Sequence, residues 1–253
     1  MWRRKIVPIL VSLTLLSRPA VSSNGPGSQQ STSASAPVTA AQCPPLAPIL
    51  DPSKKVWKHG DEERKAFVSA ISEKDAKHRT GLIEQFASDY PDSDYLDSLL
   101  LIKMSAEIEL KDPLAQLGTA QRLLASATAD PRAKLVAYAA IADLKPAFIQ
   151  QQPDSQVPPE LHELSHTVSC GEDALAVSST MVGIDKMRND IEASFAKARG
   201  YLAYRTGQYD TARTELKNAI GLKPDGYAAY LLLAAVQLAG NVPGITFPER
   251  YSH

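Results

Sequence analysis

From Gly60 onward, apolar residues recur at spacings of three and four, the period of one face of an α-helix. Asp61 is placed to cap a first helix carrying Phe67, Ala70 and Ile71. Asp75 opens a second, with Leu82, Ile83 and Phe86 on one stripe. Tyr90-Pro91 ends it, because the residue before a proline is pushed out of helical backbone. Ser93 or Asp94 is expected to cap a third, marked by Leu96, Leu99, Ile102, Ala106 and Leu110. Asp112-Pro113 and Asp130-Pro131 start a fourth and a fifth, since proline is tolerated in a first turn, where its missing N–H has no helical acceptor. Leu114, Leu117, Gln121 and Leu124 mark the fourth face. Ala133, Ala137, Ala140 and Leu144 are the expected buried stripe of the fifth, which Pro146 is expected to stop. Beyond a connection rich in Pro and Gln, helices resume from Glu160 to about Val177. After a loop from Ser178 to Ile184 comes a long helix with Met187, Ile191, Phe195, Ala198 and Leu202, then Gln208 to Ile220, then Gly226 to Leu238. No β-branched run of period two interrupts the series, so the predicted fold class is all-α.

The chain begins differently. Arg3, Arg4 and Lys5 precede an apolar run from Ile6 to Leu16, and Ala20-Val21-Ser22 offers a small-x-small cleavage site. This pattern predicts a secretory signal peptide over residues 1–22, too short to span a bilayer. Removing it takes away Arg3, Arg4, Lys5 and Arg18, so 23 of 27 basic residues remain against 28 acidic ones, a net charge of −5. A mildly acidic chain excludes the basic surplus of a general nucleic-acid binder. Cys43 lies too far beyond the apolar run, and follows Gln42, so lipidation at that cysteine is rejected. The expected localisation is exported, periplasmic or extracellular, soluble after cleavage and with no integral membrane span in the mature chain.

The rest divides into a disordered Ser- and Pro-rich linker (23–59), N-terminal helices (60–145), a Pro/Gln-rich connection (146–159), C-terminal helices (160–241) and an irregular tail (242–253). Val56 and Trp57 are expected to dock onto the first helix. In the tail, Pro243, Gly244 and Pro248 break the pattern where a partner helix is due. Cys43 and Cys170 are the two cysteines. In an oxidising compartment they can pair, pinning the Pro-rich segment to the body, or they can remain two thiols.

Pairs of antiparallel helices joined by short turns are the unit of an α-solenoid, in which neighbours stack because one pair cannot bury its own face. Residues 193–226 carry Gly200, Gly207, Tyr209, Ala212, Leu216, Ala219 and Pro224 in a 34-residue window. Small residues at 200, 212 and 219 let two helices approach, Gly207 turns the chain, and Pro224 stops the second helix. This window resembles a tetratricopeptide repeat, with Leu216 in place of the usual aromatic and Ala203 where a Tyr is common. Tyr230, Leu233 and Ala234 look like the first helix of a following repeat. More loosely, residues 86–95 followed by a Leu-rich helix resemble the repeats of bacterial cell-envelope members of the family. The resemblance implies a helical superhelix whose groove holds another protein or a peptide, with no cofactor and no catalysis. Carried over to this chain, Lys197, Tyr201 and Arg205, at spacings of four, with Tyr204 beside them, are the implied partner-binding residues. Tyr201 stands where a carboxylate clamp would need Asn, so no clamp is expected. A purely structural spacer in the envelope is a further reading.

One motif points elsewhere. His162-Glu163-Leu164-Ser165-His166 is H-E-x-x-H, which on a helix places two zinc-ligating imidazoles on one face with Glu163 between them as general base. The alternative function is therefore a zinc-dependent metallopeptidase using His162 and His166 as ligands and Glu163 in catalysis. Glu172, Asp185 and Glu192 are candidates for a third ligand, but none lies in a recognisable motif. Pro158-Pro159 just upstream place His162 near the helix start, and Leu161, Leu164 and Val168 already form an ordinary packing stripe. A pair of surface histidines is the favoured reading. Gly-rich phosphate loops, a G-x-S-x-G elbow and CxxC pairs are absent from the sequence.

Overall fold

A computed structural model describes residues 43, 55–126, 129–151, 157–178 and 183–240. They form α1 (Gly60–Ser72), α2 (Ala76–Asp89), α3 (Leu96–Glu109), α4 (Pro113–Ala125), α5 (Pro131–Ile149), α6 (Val157–Ala176), α7 (Arg188–Arg205), α8 (Tyr209–Leu222) and α9 (Tyr227–Gly240), with no strand among the described residues. The fold class is all-α. The expected signal peptide, the linker up to residue 42 together with residues 44–54, and the tail at 242–253 lie outside the described residues.

Helix starts follow local side-chain chemistry at three of the expected positions. Asp75 accepts from the His78 N–H at 2.7 Å, Asp112 from Ala115 at 3.0 Å and Asp130 from Arg132 at 2.8 Å. Each satisfies a donor that the helix leaves open, an effect of about 1 kcal/mol. Asp61 does not cap, because α1 begins one residue earlier and the buried Glu63 takes over that end. Its carboxylate accepts the His59 N–H at 2.8 Å and the Ser93 hydroxyl at 2.5 Å. Ser93 is thereby committed to α1, Asp94 accepts the Val56 N–H at 3.2 Å, and neither caps α3, which starts after Tyr95. Residues 55–59, expected within the disordered linker, are fixed by the same corner. Trp57 stacks on Tyr95 with ring centroids 3.8 Å apart and meets Phe67 of α1 edge-on at 5.4 Å.

Pro146 does not stop α5, which continues to Ile149. An interior proline costs about 3 kcal/mol. Burying a residue such as Ile149, 1% exposed, returns about 1.5–3 kcal/mol, and Pro146 itself is buried. The Gln150 N–H then closes on the Pro146 carbonyl at 3.3 Å. α6 starts at Val157 rather than Glu160, with Pro158 and Pro159 inside its first turn.

Each helix packs on the next along the chain. The odd-numbered helices also touch in order, α1 on α3, α3 on α5, α5 on α7 and α7 on α9, whereas no comparable contact joins the even-numbered ones. α5 lies against α4, α6 and α7, and α7 against α5, α6 and α8, so both are buried on several sides rather than on one stripe. Leu144, expected in the α5 core stripe, is only half-buried, while Leu135, Tyr138 and Ile141 are buried. Leu114 and Ile71, expected in the core, are 67% and 44% exposed, and α4 instead buries Thr119, Ala120 and Leu123.

Close packing of α7 on α8 depends on Gly200, where an added Cβ would lie 2.7 Å from Leu216 Cγ. Gly207, at φ +77°, makes the turn between them in a conformation that favours glycine. A second approach of this kind joins α6 to α7, where a Cβ on Gly171 would meet Phe195 Cζ at 2.4 Å. Among the described residues, no helix is long and apolar enough to cross a membrane.

Candidate functional site

The α6 helix presents the H-E-x-x-H residues one side chain at a time. Leu164 and Val168 turn inward to the core, leaving His162 and Glu163 exposed and His166 half-buried. Because α6 starts at Val157, His162 lies in its second turn. Glu163 Oε2 is 2.6 Å from the Lys145 ammonium, and Glu160 Oε2 is 2.9 Å from it. Lys145 is almost fully buried, so these two carboxylates are what balances its charge at the α5–α6 seam. His166 turns the other way, with Nδ1 and Nε2 at 3.6 and 3.7 Å from Cys170 Sγ. Of the residues considered for a third ligand, Glu172 is paired with Arg199, Glu192 lies 3.6 Å from Arg188, and Asp185 is exposed. Among the described residues, the His, Cys and carboxylate ligand atoms that converge are those of Cys43, His166 and Cys170, without His162.

Cys43 and Cys170 are joined in a disulfide spanning 127 positions, which resolves the alternative the sequence leaves open. Cys170 is buried one turn beyond His166, and Asp173 Oδ2 stands 3.8 Å from Cys43 Sγ. His166, Cys170 and Asp173 fall at i, i+4 and i+7, one face of the helix.

The four implied partner-binding residues do not form an exposed face. Tyr201 is 0% exposed, Tyr204 is buried in the same core, and Lys197 is nearly covered. Spacings of four do put these side chains on one side of α7, but Lys197 there meets Asp143 of α5 and Tyr201 is enclosed in the core. The Tyr201 hydroxyl accepts from Arg205 Nη1 at 2.9 Å. Burial pushes the Tyr201 phenol above its ordinary pKa, and the Arg205 guanidinium offsets this only in part. Lys197 donates to the Asp143 carbonyl at 2.7 Å and to the Asp143 carboxylate. On the neighbouring flank, Arg199 bridges Glu172 of α6 and Glu215 of α8. Burial works against the guanidinium charge there, and the two carboxylates outweigh it.

Lys197 and Asp143 do line a groove, formed where α5, α7, the end of α8 and the start of α9 meet. Ala219, Lys223 and Tyr227 complete it around a cavity of about 170 Å³. That is below the roughly 300–1,000 Å³ of typical small-ligand pockets and suits a single side chain of a larger partner. Lys223 reaches Asp190 at 3.3 Å, and Tyr227 is 72% exposed. Asp143, Lys223 and Tyr227 escape a sequence reading because the groove joins positions more than fifty residues apart; only Pro224, which marks the α8–α9 turn, hints at where it closes. The outer side of α9 adds exposed Tyr230, Leu231 and Leu238.

Comparisons of the chain with protein-family models, with curated proteins and with solved structures each found no match.

Proposed function

We propose that this chain is an exported helical-repeat scaffold of tetratricopeptide-like design, which holds a protein or peptide partner along its odd-numbered helices and does no chemistry of its own. The observation that carries this reading is the row α1–α3–α5–α7–α9, in which each odd-numbered helix touches the next, strongly only at α5–α7, among the described residues. A row of touching helices backed by splayed ones is the inner layer of a curved stack, and such concave layers are binding surfaces. The groove that α5, α7 and α9 line together with the end of α8 offers such a surface, and Tyr227 is an exposed aromatic anchor at its edge. Export is supported by the basic and apolar leader in the sequence and by the disulfide, which fits an oxidising compartment.

The test uses a photo-crosslinking residue in the full mature chain, at Tyr227 in one variant and at the exposed Lys217 of α8 in another. Envelope proteins from the source cell are the prey. One defined partner trapped at 227 and not at 217, with affinity falling at least tenfold in Tyr227→Ala, is the expected result. Equal trapping at both positions, or binding indifferent to Tyr227→Ala, would sink the groove assignment.

A further inference from the structure

We propose that Cys43, His166 and Cys170 form a zinc-binding site in the reduced chain, so that this corner of the fold holds either a disulfide or a metal ion. The ligand chemistry is that of a thiophilic, tetrahedral ion: two thiolates and one imidazole, with the fourth position left to solvent. The proposal does not depend on the partner-binding function above, and it shares only His166 with the H-E-x-x-H site weighed from the sequence.

The three groups already converge, their ligand atoms all lying within 4.8 Å of one another. With Zn–S near 2.3 Å and Zn–N near 2.0–2.1 Å, tetrahedral sulfur and nitrogen ligands lie about 3.6 Å apart. His166 Nδ1 and Nε2 lie 3.6 and 3.7 Å from Cys170 Sγ. Asp173 Oδ2, 3.8 Å from Cys43 Sγ, borders the site without converging with the other groups. Two of the three ligands come from one helix face, at 166 and 170, so little ordering of that pair remains for binding to impose. The third is Cys43, and binding requires the two sulfurs to part to the roughly 3.8 Å of a shared tetrahedral ion once the disulfide is reduced. The nearest alternative pair, His162 and Glu163, does not compete, because His162 stands outside the cluster and Glu163 is bound to Lys145.

The exchange balances with a dithiol as reductant. The dithiol gives two electrons and two protons to the Cys43–Cys170 bond, which breaks into two thiols while the dithiol closes to its own disulfide. Zinc then displaces the two thiol protons to solvent, and neutral His166 supplies its lone pair. Reoxidation by a disulfide-bearing partner would expel the ion.

The experiment takes the full mature chain, reduced with a phosphine under argon and freed of it, and titrates Zn²⁺ against a chromophoric chelator. Oxidised chain is the control, and far-UV circular dichroism follows the fold. One zinc per reduced chain and none in the oxidised chain is expected, with affinity falling at least tenfold in His166→Ala and in Cys170→Ser and unchanged in His162→Ala. Co²⁺ in the reduced wild-type chain is expected to show thiolate charge-transfer bands and tetrahedral d–d absorption. Absence of zinc uptake by the reduced chain overturns the proposal, as does a His166→Ala variant that binds like wild type. A His162→Ala variant as weak as His166→Ala would hand the ion to the H-E-x-x-H pair. A reduced chain that unfolds and does not regain its helix signal with Zn²⁺ also overturns it.

Discussion

The Lys145 ammonium lies 2.6 Å from the Glu163 carboxylate, and this contact fastens α6 to α5. Lys145 is the buried member, and Glu163 is 55% exposed. Removing the lysine strands Glu160 and Glu163 beside each other and empties the space of its stem. Lys145→Ala is therefore expected to cost about 2 kcal/mol, below the 3–5 of a fully buried pair because both carboxylates reach water. Glu163→Gln leaves Glu160 in place and is expected to cost under about 1 kcal/mol. Urea unfolding of the two variants reads the difference; equal losses would contradict this division of roles.

Glycines separate close approach from helix propensity. Gly200→Ala and Gly171→Ala each put a methyl within 2.7 Å of a side chain packed from another helix. Overpacking of this kind is expected to cost about 1–3 kcal/mol. Gly118, inside α4 with open space at its Cβ position, is expected to gain about 0.5–1 kcal/mol on change to Ala. Thermal midpoints moving the same way for all three would refute the packing argument.

Tyr201 holds up the core rather than a partner. Tyr201→Phe keeps the ring and loses the bond from Arg205, with an expected cost of about 1 kcal/mol. Tyr201→Ala empties a fully buried aromatic site and is expected to cost about 3–5 kcal/mol. Guanidinium unfolding distinguishes this ladder from a binding role, in which stability would stay level while partner affinity fell.

The pH dependence has one contribution of unusual sign. Burial raises the Asp97 carboxyl above its ordinary pKa, more than the Asp130 N–H and the nearby lysines lower it. The folded chain therefore binds more protons at this position than the unfolded one, so stability falls as pH rises from the unfolded pKa through the folded one. Asp97→Asn keeps an oxygen for the Asp130 N–H and abolishes the titration. The variant is expected to match wild type near pH 3 and to exceed it near pH 7. A variant less stable at pH 7 than at pH 3, relative to wild type, would mean that attraction to Lys55 and Lys134 outweighs desolvation.

Local chemistry was legible in the chain, and convergence was not. Asp75, Asp112 and Asp130 cap their helices because the acceptor and its donor lie two or three residues apart. Gly200, Gly207 and Leu216 carry the α7–α8 turn within one short window. Pro146 misleads because the helix beyond it is held by burial of Ile149 against sequence-distant helices. Lys197, Tyr201, Tyr204 and Arg205 mislead for a related reason: periodicity places them on one side of α7, but only packing against sequence-distant parts of the chain, Asp143 of α5 among them, decides that this side is interior. The spacing of His166, Cys170 and Asp173 is written on α6, whereas the arrival of Cys43 from 127 positions away is not.

The Cys43–Cys170 bond also changes how the molecule carries tension. It closes a covalent ring that contains α1 to α5, from Gly60 to Ile149. A pull on the chain ahead of Cys43 passes through sulfur directly to α6 and on toward α7. The first five helices hang in the ring as a slack, unloaded loop. Cutting that bond would put them in series with the pull, lengthening the path by every residue the ring had sheltered.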